Sequence, residues 1–116
     1  MTIKKGESNQ PFRISTTFDM SNNTALSLFF TAPDGTQTTH TDASSPAVTA
    51  PAVALTNDPE LGDVTASTYF ELKTTTTTFT QAGTWAACGL YTDTATTPGT
   101  ILETLTVTFT IGESCQ

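Results

Sequence analysis

The sequence predicts an all-β fold with two facing sheets, and three observations support that prediction. Threonine supplies 29 of the 116 residues, and its branched Cβ favours strands over long helices. No stretch of ten or more residues shows the 3.6-residue apolar repeat of an amphipathic helix. Short alternating segments instead follow one another at spacings of about 8–12 residues, which is typical of a β-sandwich. We therefore expect about seven antiparallel strands.

The clearest strand lies near the C-terminus, at 105–111, where the sequence reads Leu-Thr-Val-Thr-Phe-Thr-Ile. A period of two places its apolar side chains on one face and its threonines on the other. The apolar face requires a core to cover it, and the remaining strands supply that core. The threonine face is expected to meet water or a partner.

The segments before this strand are assigned in chain order. Alternation predicts strands at 12–18 and 24–31, and Phe29 interrupts the polar face of the second in a way that suits a contact. The Pro33-Asp34-Gly35 turn then reverses the chain. The wholly polar strand that follows, 36–41, suits a sheet edge.

The second half of the chain completes the set. Further strands are predicted at 52–56, at 64–72 with an extension through 73–78, and from a corner at 79–85 through residue 92. Loops or turns are predicted at 42–51, 57–63 and 93–100, and residues 47–49 of the first could pair briefly. Tyr69 and Phe70 are expected on opposite faces of their strand. The predicted core consists of Phe12, Ile14, Phe18, Leu26, Leu28, Phe30, Leu55, Phe79, Trp85, Tyr91, Leu105, Val107, Phe109 and Ile111.

The chain is expected to form one domain, 11–116, preceded by an arm at 1–10. A chain of this length buries one core but not two. The arm (MTIKKGESNQ) is expected to be mobile or to dock, with at most a short strand at 2–5.

Composition excludes several classes of partner. The net charge is −7, from 11 acidic and 4 basic residues. Three of the four cations, Lys4, Lys5 and Arg13, lie near the N-terminus, so the body lacks the basic clusters that nucleic acid or an anionic membrane would require. The arm lacks a signal-peptide pattern, and no run approaches the roughly 20 apolar residues of a membrane span. We therefore expect synthesis in a cytoplasm, with no nucleic-acid or membrane partner.

A corner motif refines the fold. Gln81, Gly83, Trp85 and Ala87 are spaced as in the Asp-x-Gly-x-Tyr-x-Cys corner that leads into the sixth strand of immunoglobulin-like sandwiches. Glycine permits the bend, the aromatic residue buries a large area, and a small residue fits where the sheets approach. The chain lacks the tyrosine hydroxyl and the inter-sheet cysteine of antibody domains. The resemblance implies an immunoglobulin-like β-sandwich.

Three groups of segments carry a more specific resemblance. They are Phe18-Asp19-Met20-Ser21 with Leu26-Ser27-Leu28 and Pro33-Asp34-Gly35-Thr36, then Gln81-Ala82-Gly83-Thr84-Trp85, then Glu103-Thr104-Leu105-Thr106-Val107-Thr108-Phe109-Thr110-Ile111. Their order and spacing over 12–111 resemble the small immunoglobulin-like structural proteins of tailed bacteriophages. They are also similar to the N-terminal immunoglobulin-like domains of phage baseplate and fibre-attachment proteins.

This resemblance implies a virion component that is synthesised in the host cytoplasm, binds other virion proteins in multiple copies and catalyses nothing. Decoration or cementing of the capsid and a place on the tail or baseplate both stay open. A polar edge strand and threonine faces can pair with neighbouring subunits through main-chain hydrogen bonds. A carbohydrate- or receptor-binding module is the alternative, and a small hydrolase is a second one.

Candidate chemical groups are few. His40 is the only histidine, and a Ser-His-Asp triad would require it; its polar strand predicts a solvated surface side chain instead. Asn57, Asp58, Glu60 and Asp63 gather oxygen ligands of the kind that calcium binds. Their spacing is not that of an EF-hand, so a solvated acidic loop is expected and cation binding stays open.

Two cysteines are too few for a disulfide framework or a zinc site. The expected hairpin places Cys115 roughly 27 Å along the chain from the partner of Cys88, whereas a disulfide tolerates Cα separations of about 4.4–6.8 Å. Two free thiols are expected. Asn22-Asn23-Thr24 matches a glycosylation sequon but is expected to be a turn. Trp85 and Tyr91 are expected in the core rather than on a stacking platform, so no catalytic, cofactor or metal residue is assigned.

Overall fold

A computed structural model describes residues 3–94, 99–104 and 106–114. These ranges contain nine β-strands and no helix, so the all-β prediction is confirmed. The strands are β1 (Pro11–Ser15), β2 (Ala25–Thr31), β3 (Gln37–Thr41), β4 (Leu55–Asp58), β5 (Gly62–Val64), β6 (Tyr69–Lys73), β7 (Gly83–Asp93), β8 (Thr100–Glu103) and β9 (Val107–Ile111). Nine strands rather than about seven arise because the predicted 57–63 loop contributes to a hairpin and a short β8 precedes β9.

The strands form two main sheets and a separate hairpin. Strands β1 and β6 make a two-stranded sheet, and the five-stranded sheet has the order β3-β2-β7 with both β8 and β9 on the far side of β7. Strand β9 pairs with the first half of β7 and β8 with its second half. The third unit is the β4–β5 hairpin. Every strand pair is antiparallel, an arrangement consistent with a β-sandwich.

One hydrophobic cluster contains buried side chains from both main sheets. Its centre is aromatic: the ring of Phe30 lies edge-on to Phe12 at 5.1 Å and to Phe79 at 5.2 Å between centroids. Edge-to-face aromatic packing is favoured because a positive ring edge meets a negative ring face. The residues that the sequence places inward on β7, Trp85, Ala87 and Tyr91, are all buried.

The core prediction is largely confirmed. Most predicted members are buried in the cluster, while Phe18, Val107 and Phe109 are partly buried and pack against it. The prediction that Leu55 belongs to the core is wrong, because this side chain is half-buried in the separate hairpin and lies outside the cluster. Leu105 lies outside the described residues. The cluster also contains Ile3, Met20, Ala32, Val48, Phe70 and Leu72, which the sequence pattern did not indicate, and Ala87, which it placed inward on β7.

Several strand boundaries differ from the prediction because threonine side chains compete for backbone groups. The strand predicted from residue 64 begins only at Tyr69, since Thr68 turns back and donates its hydroxyl to the Thr65 carbonyl at 2.7 Å. The predicted extension through 73–78 is wrong beyond Lys73, where β6 ends. There the Thr78 hydroxyl accepts the Thr75 N–H at 2.9 Å and closes a turn, as expected of side chains that offer the backbone an alternative to a strand ladder.

Other boundaries move less. The first strand ends at Ser15 rather than at residue 18, where the Thr16 hydroxyl bonds the Phe18 carbonyl at 2.9 Å. The strand predicted at 52–56 lies instead at 55–58 and pairs with residues 62–64. Residues 62 and 63 belong to the predicted loop, and residue 64 is predicted to begin the next strand. The strands predicted at 24–31 and 36–41 are confirmed to within a residue at each end. The strand predicted to run from the corner through residue 92 is confirmed as β7, which ends at Asp93.

The described part of the N-terminal arm docks on the domain. Ile3 is buried, and Lys4 forms a parallel bridge with Gly112 beyond the end of β9. The N–H of Gly6 donates to the Phe79 carbonyl at 3.0 Å. Residues 3–6 therefore cover one end of the core.

Candidate functional site

One face of the five-stranded sheet points away from the core, and its residues are identified by cross-strand pairing. Residues directly opposite one another in an antiparallel pair share a face. Phe29 lies opposite Thr39 on one side and Cys88 on the other, whereas buried Leu28 lies opposite Gly89. We call this surface the outer face; it consists of Ala25, Ser27, Phe29, Thr31, Gln37, Thr39, Thr41, Thr84, Ala86, Cys88, Leu90, Thr92, Ile101, Glu103, Thr108 and Thr110.

The outer face is nearly free of charge. The chain has 11 acidic and 4 basic residues, yet the five strands of this sheet contain only Asp93 and Glu103. Asp93 lies opposite Thr100 on the inner side of the sheet and is buried. Glu103 is therefore the one charged side chain of the outer face as defined above. Interface centres are depleted of charge in the same way.

Apolar side chains project from this uncharged surface. Phe29 is 40% exposed and Ile101 65% exposed, although both occupy central positions on their strands. A hollow of about 290 Å³ lies beside Phe29 and is also lined by Cys88, Glu103 and Thr106. Phe29 interrupts a polar face in the sequence, and its position on an exposed face is confirmed. The contact inferred from it stays a prediction.

The predicted polar edge strand is confirmed as β3, which among the described strands pairs with β2 alone. Hydrogen bonds from Asp42 N to Leu26 O and from Ala32 N to Thr36 O show that the even-numbered residues of this pair direct their backbone groups towards the neighbouring strand. That alternation points the backbone groups of Gln37 and Thr39 away from β2. The carbonyl of Thr41 already accepts the Val48 N–H at 3.0 Å. The open edge is therefore short.

His40 lies at the margin of the core rather than fully in water, which corrects the prediction of a solvated surface side chain. It is opposite buried Leu28, and its ring lies edge-on to Phe30 with 5.3 Å between centroids. Burial lowers the pKa of the imidazole because it penalises the charged form. The contacts of His40 are those of a packing residue.

The acidic loop uses its carboxylates to hold its own backbone. One oxygen of Asp58 accepts the N–H groups of Glu60 and Leu61, each at 2.9 Å. Asp63 accepts the Asn57 N–H at 2.9 Å. Among the described residues, no group of three or more His, Cys, Asp or Glu side chains is placed to hold a metal ion.

The other oxygen of Asp58 belongs to an ion cluster that the sequence analysis missed. The Arg13 guanidinium donates from Nη1 to Asp58 at 3.1 Å and from Nε to Glu71 at 2.7 Å. Burial alone would lower the pKa of Arg13, but the hydrogen bond to Glu71 and the charges of Glu71 and Asp58 outweigh it, so this pKa is raised. The cluster fastens the β4–β5 hairpin to the β1–β6 sheet.

The corner before β7 has the geometry that its sequence predicts. The indole Nε1–H of Trp85 donates to the Gln81 carbonyl at 2.9 Å. Gly83 has φ 126°, and a β-carbon at that position would lie 3.1 Å from Pro33. Trp85 and Tyr91 are buried, so the core prediction for both is confirmed. Neither is available as a surface platform for stacking a sugar.

The remaining candidates are the two cysteines and the glycosylation sequon. Cys88 is a half-buried free thiol, whereas Cys115 lies outside the described residues and its free state stays a prediction. The sequon segment forms the predicted turn, in which Asn23 donates from both its backbone N–H and its side-chain amide to the Met20 carbonyl.

Comparison of the chain with protein-family models, with curated proteins and with solved structures finds no match. Within the described ranges, no helix has the length and apolar character needed to cross a bilayer. The fold of the described residues defines the class as an all-β protein with several antiparallel sheets, consistent with a β-sandwich.

Proposed function

We propose that this chain is an immunoglobulin-like β-sandwich that serves as a non-catalytic structural component of a tailed-phage virion. In this role it decorates or cements the capsid, or it belongs to the tail or baseplate. It acts through contacts with other virion proteins and is present in multiple copies.

Strand order supports the immunoglobulin-like part of the proposal. The β1–β6 pair, with an antiparallel bridge from Thr49 to Glu71, is arranged like strands B, E and D of such domains. The five-stranded sheet, read from β3 through β2 and β7 to β8 and β9, is arranged like C′, C, F and G. The β4–β5 hairpin is then an insertion between D and E.

The corner supports the same assignment. In tyrosine-corner domains a hydroxyl bonds back to the backbone a few residues upstream, at the entry to strand F. Here the indole N–H of Trp85 makes an equivalent bond to the Gln81 carbonyl. A different donor therefore performs the same task at the same place in the strand order.

The observation that supports the structural role most strongly is the outer face. A chain of net charge −7 repels its own copies and other acidic proteins, yet it keeps one broad sheet face almost without charge. Such a surface suits lasting contact with another protein. Together with the resemblance of the three groups of segments, it favours a component of an assembly.

Mass spectrometry of gradient-purified particles of the phage that encodes this chain tests the proposal. Peptides of the chain should sediment with the capsid and tail proteins, while an abundant host cytoplasmic protein measured in the same fractions should not. Particles that lack the chain would refute the virion role.

A further inference from the structure

We propose that the outer face docks on the outer face of a second copy of this chain. The inference builds on the proposed function, because a component present in multiple copies requires a surface on which copies meet. It assigns that surface and its occupant. The contact is isologous, with the same residues contributed by both copies.

The net charge of the chain favours a second copy as the occupant of the outer face. Two copies repel each other, since each has a net charge of −7, so contact is least opposed where the surface carries the fewest charges. Contact between outer faces brings only Glu103 of each copy into the interface. A basic partner would find only that one carboxylate to pair with. An equally uncharged surface is the better match, and this chain provides one.

The side chains of one outer face can bond to and pack against those of a second, identical face. Threonine hydroxyls both donate and accept hydrogen bonds, so two threonine-rich faces can satisfy each other. The exposed side chains of Phe29 and Ile101 supply apolar anchors. The hollow beside Phe29, lined by Cys88 and Thr106, gives the second copy's Phe29 a place to enter.

The size of the face predicts a weak, reversible contact between isolated chains. The seven residues of β2 extend about 23 Å at ~3.3 Å per residue. Four strands abreast, at ~4.8 Å spacing, extend roughly 19 Å, which gives a planar patch of roughly 440 Å². Specific interfaces begin near 500 Å² per partner, so this patch lies slightly below that size, where contacts are weak and transient. Many copies held in one particle would strengthen such a contact by avidity.

Sedimentation velocity and light scattering from dilute solution to about 1 mM test the contact. A reversible dimer should form as concentration rises. Phe29→Glu and Ile101→Glu, which place like charges in the contact, should each weaken the dimer by about tenfold or more. Val53→Glu is the matched control, because Val53 is 67% exposed and lies outside the outer face. Glu103→Gln should strengthen the dimer, whereas Glu113→Gln should leave it unchanged.

A second readout requires no change on the outer face. In a Cys115→Ser chain, Cys88 is the only thiol, and its alkylation should slow as concentration rises because a second copy covers it. A chain that stays monomeric to 1 mM with constant Cys88 reactivity overturns the inference. So does a dimer that Val53→Glu weakens as much as Phe29→Glu. Either result leaves the particle measurement above as the separate test of the virion role.

Discussion

A β-carbon added to Gly89 would lie 2.6 Å from Cε2 of Phe70. Gly89 belongs to β7 of the five-stranded sheet, and Phe70 belongs to β6 of the two-stranded sheet. Their contact therefore joins the two sheets across the core. Phe70 is fully buried, so its ring has little room to retreat. The absent side chain at residue 89 sets how closely the sheets approach.

The first prediction follows from that contact. Gly89→Ala should destabilise the fold by about 1–3 kcal/mol, the range typical of overpacked cores. The free energy of unfolding in denaturant measures the effect. Gly112→Ala is the matched control, since its β-carbon would meet Lys4 at an ordinary 3.5 Å. Equal stability of the Gly89 and Gly112 variants would show that the sheets are not in close contact at Gly89.

The second prediction concerns the corner. Trp85→Ala should cost about 3–5 kcal/mol, as expected for a buried large-to-small change. Trp85→Phe keeps most of the ring but leaves the Gln81 carbonyl without its donor, and should cost about 1–2 kcal/mol. Because Trp85 is the only tryptophan, its fluorescence should shift to longer wavelength on unfolding. An unchanged melting temperature for Trp85→Ala would show that the indole is not buried.

The third prediction concerns the ion cluster. Arg13→Met should destabilise the fold by about 1–3 kcal/mol, between the values for exposed and buried ion pairs, because it leaves Asp58 and Glu71 facing each other half-buried. Hydrogen exchange should accelerate in the β4–β5 hairpin. Lys73→Met, a change of an exposed cation on neighbouring β6, should have little effect. Restoration of stability by Glu71→Gln in the Arg13→Met chain would identify repulsion as the cause.

The fourth prediction is a pH dependence that originates at His40. Burial lowers the pKa of this side chain in the folded protein, so the unfolded chain, with a His pKa of about 6.5, binds the proton more readily. The contribution of His40 to the free energy of unfolding is therefore fully present above pH 6.5, and it falls as pH decreases from 6.5 to the pKa of His40 in the folded protein. His40→Gln should remove this component. The imidazole NMR titration should have its midpoint below 6.5, and a midpoint above it would contradict the packing of His40 against Phe30.

The sequence predicts most of the main sheets because alternation is strong where one face is buried. The alternation of side chains along a strand is enough to predict which residues of β7 point inward and which side of β9 carries the threonines. Alternation does not reveal, however, which strands lie next to one another in a sheet. The outer face exists because β2, β3, β7, β8 and β9 lie side by side, and only the sheet order brings their polar faces together.

Other features were beyond sequence reasoning for identifiable reasons. Met20 and Val48 are buried as single apolar residues in a turn and a loop, where no period marks them. The turns at 65–68 and 75–78 form because threonine hydroxyls capture backbone groups, against the strand preference of the same residues. The Arg13 cluster joins residues 45 and 58 positions apart, a relationship that local pattern does not contain.

The most direct test of the proposed role is the copy number of the chain in purified particles, measured by quantitative mass spectrometry against the major capsid protein. A structural component should be present in many copies per particle, at a ratio that stays constant between preparations and through washing at high salt. A trace amount that varies between preparations, or that salt removes, would contradict it.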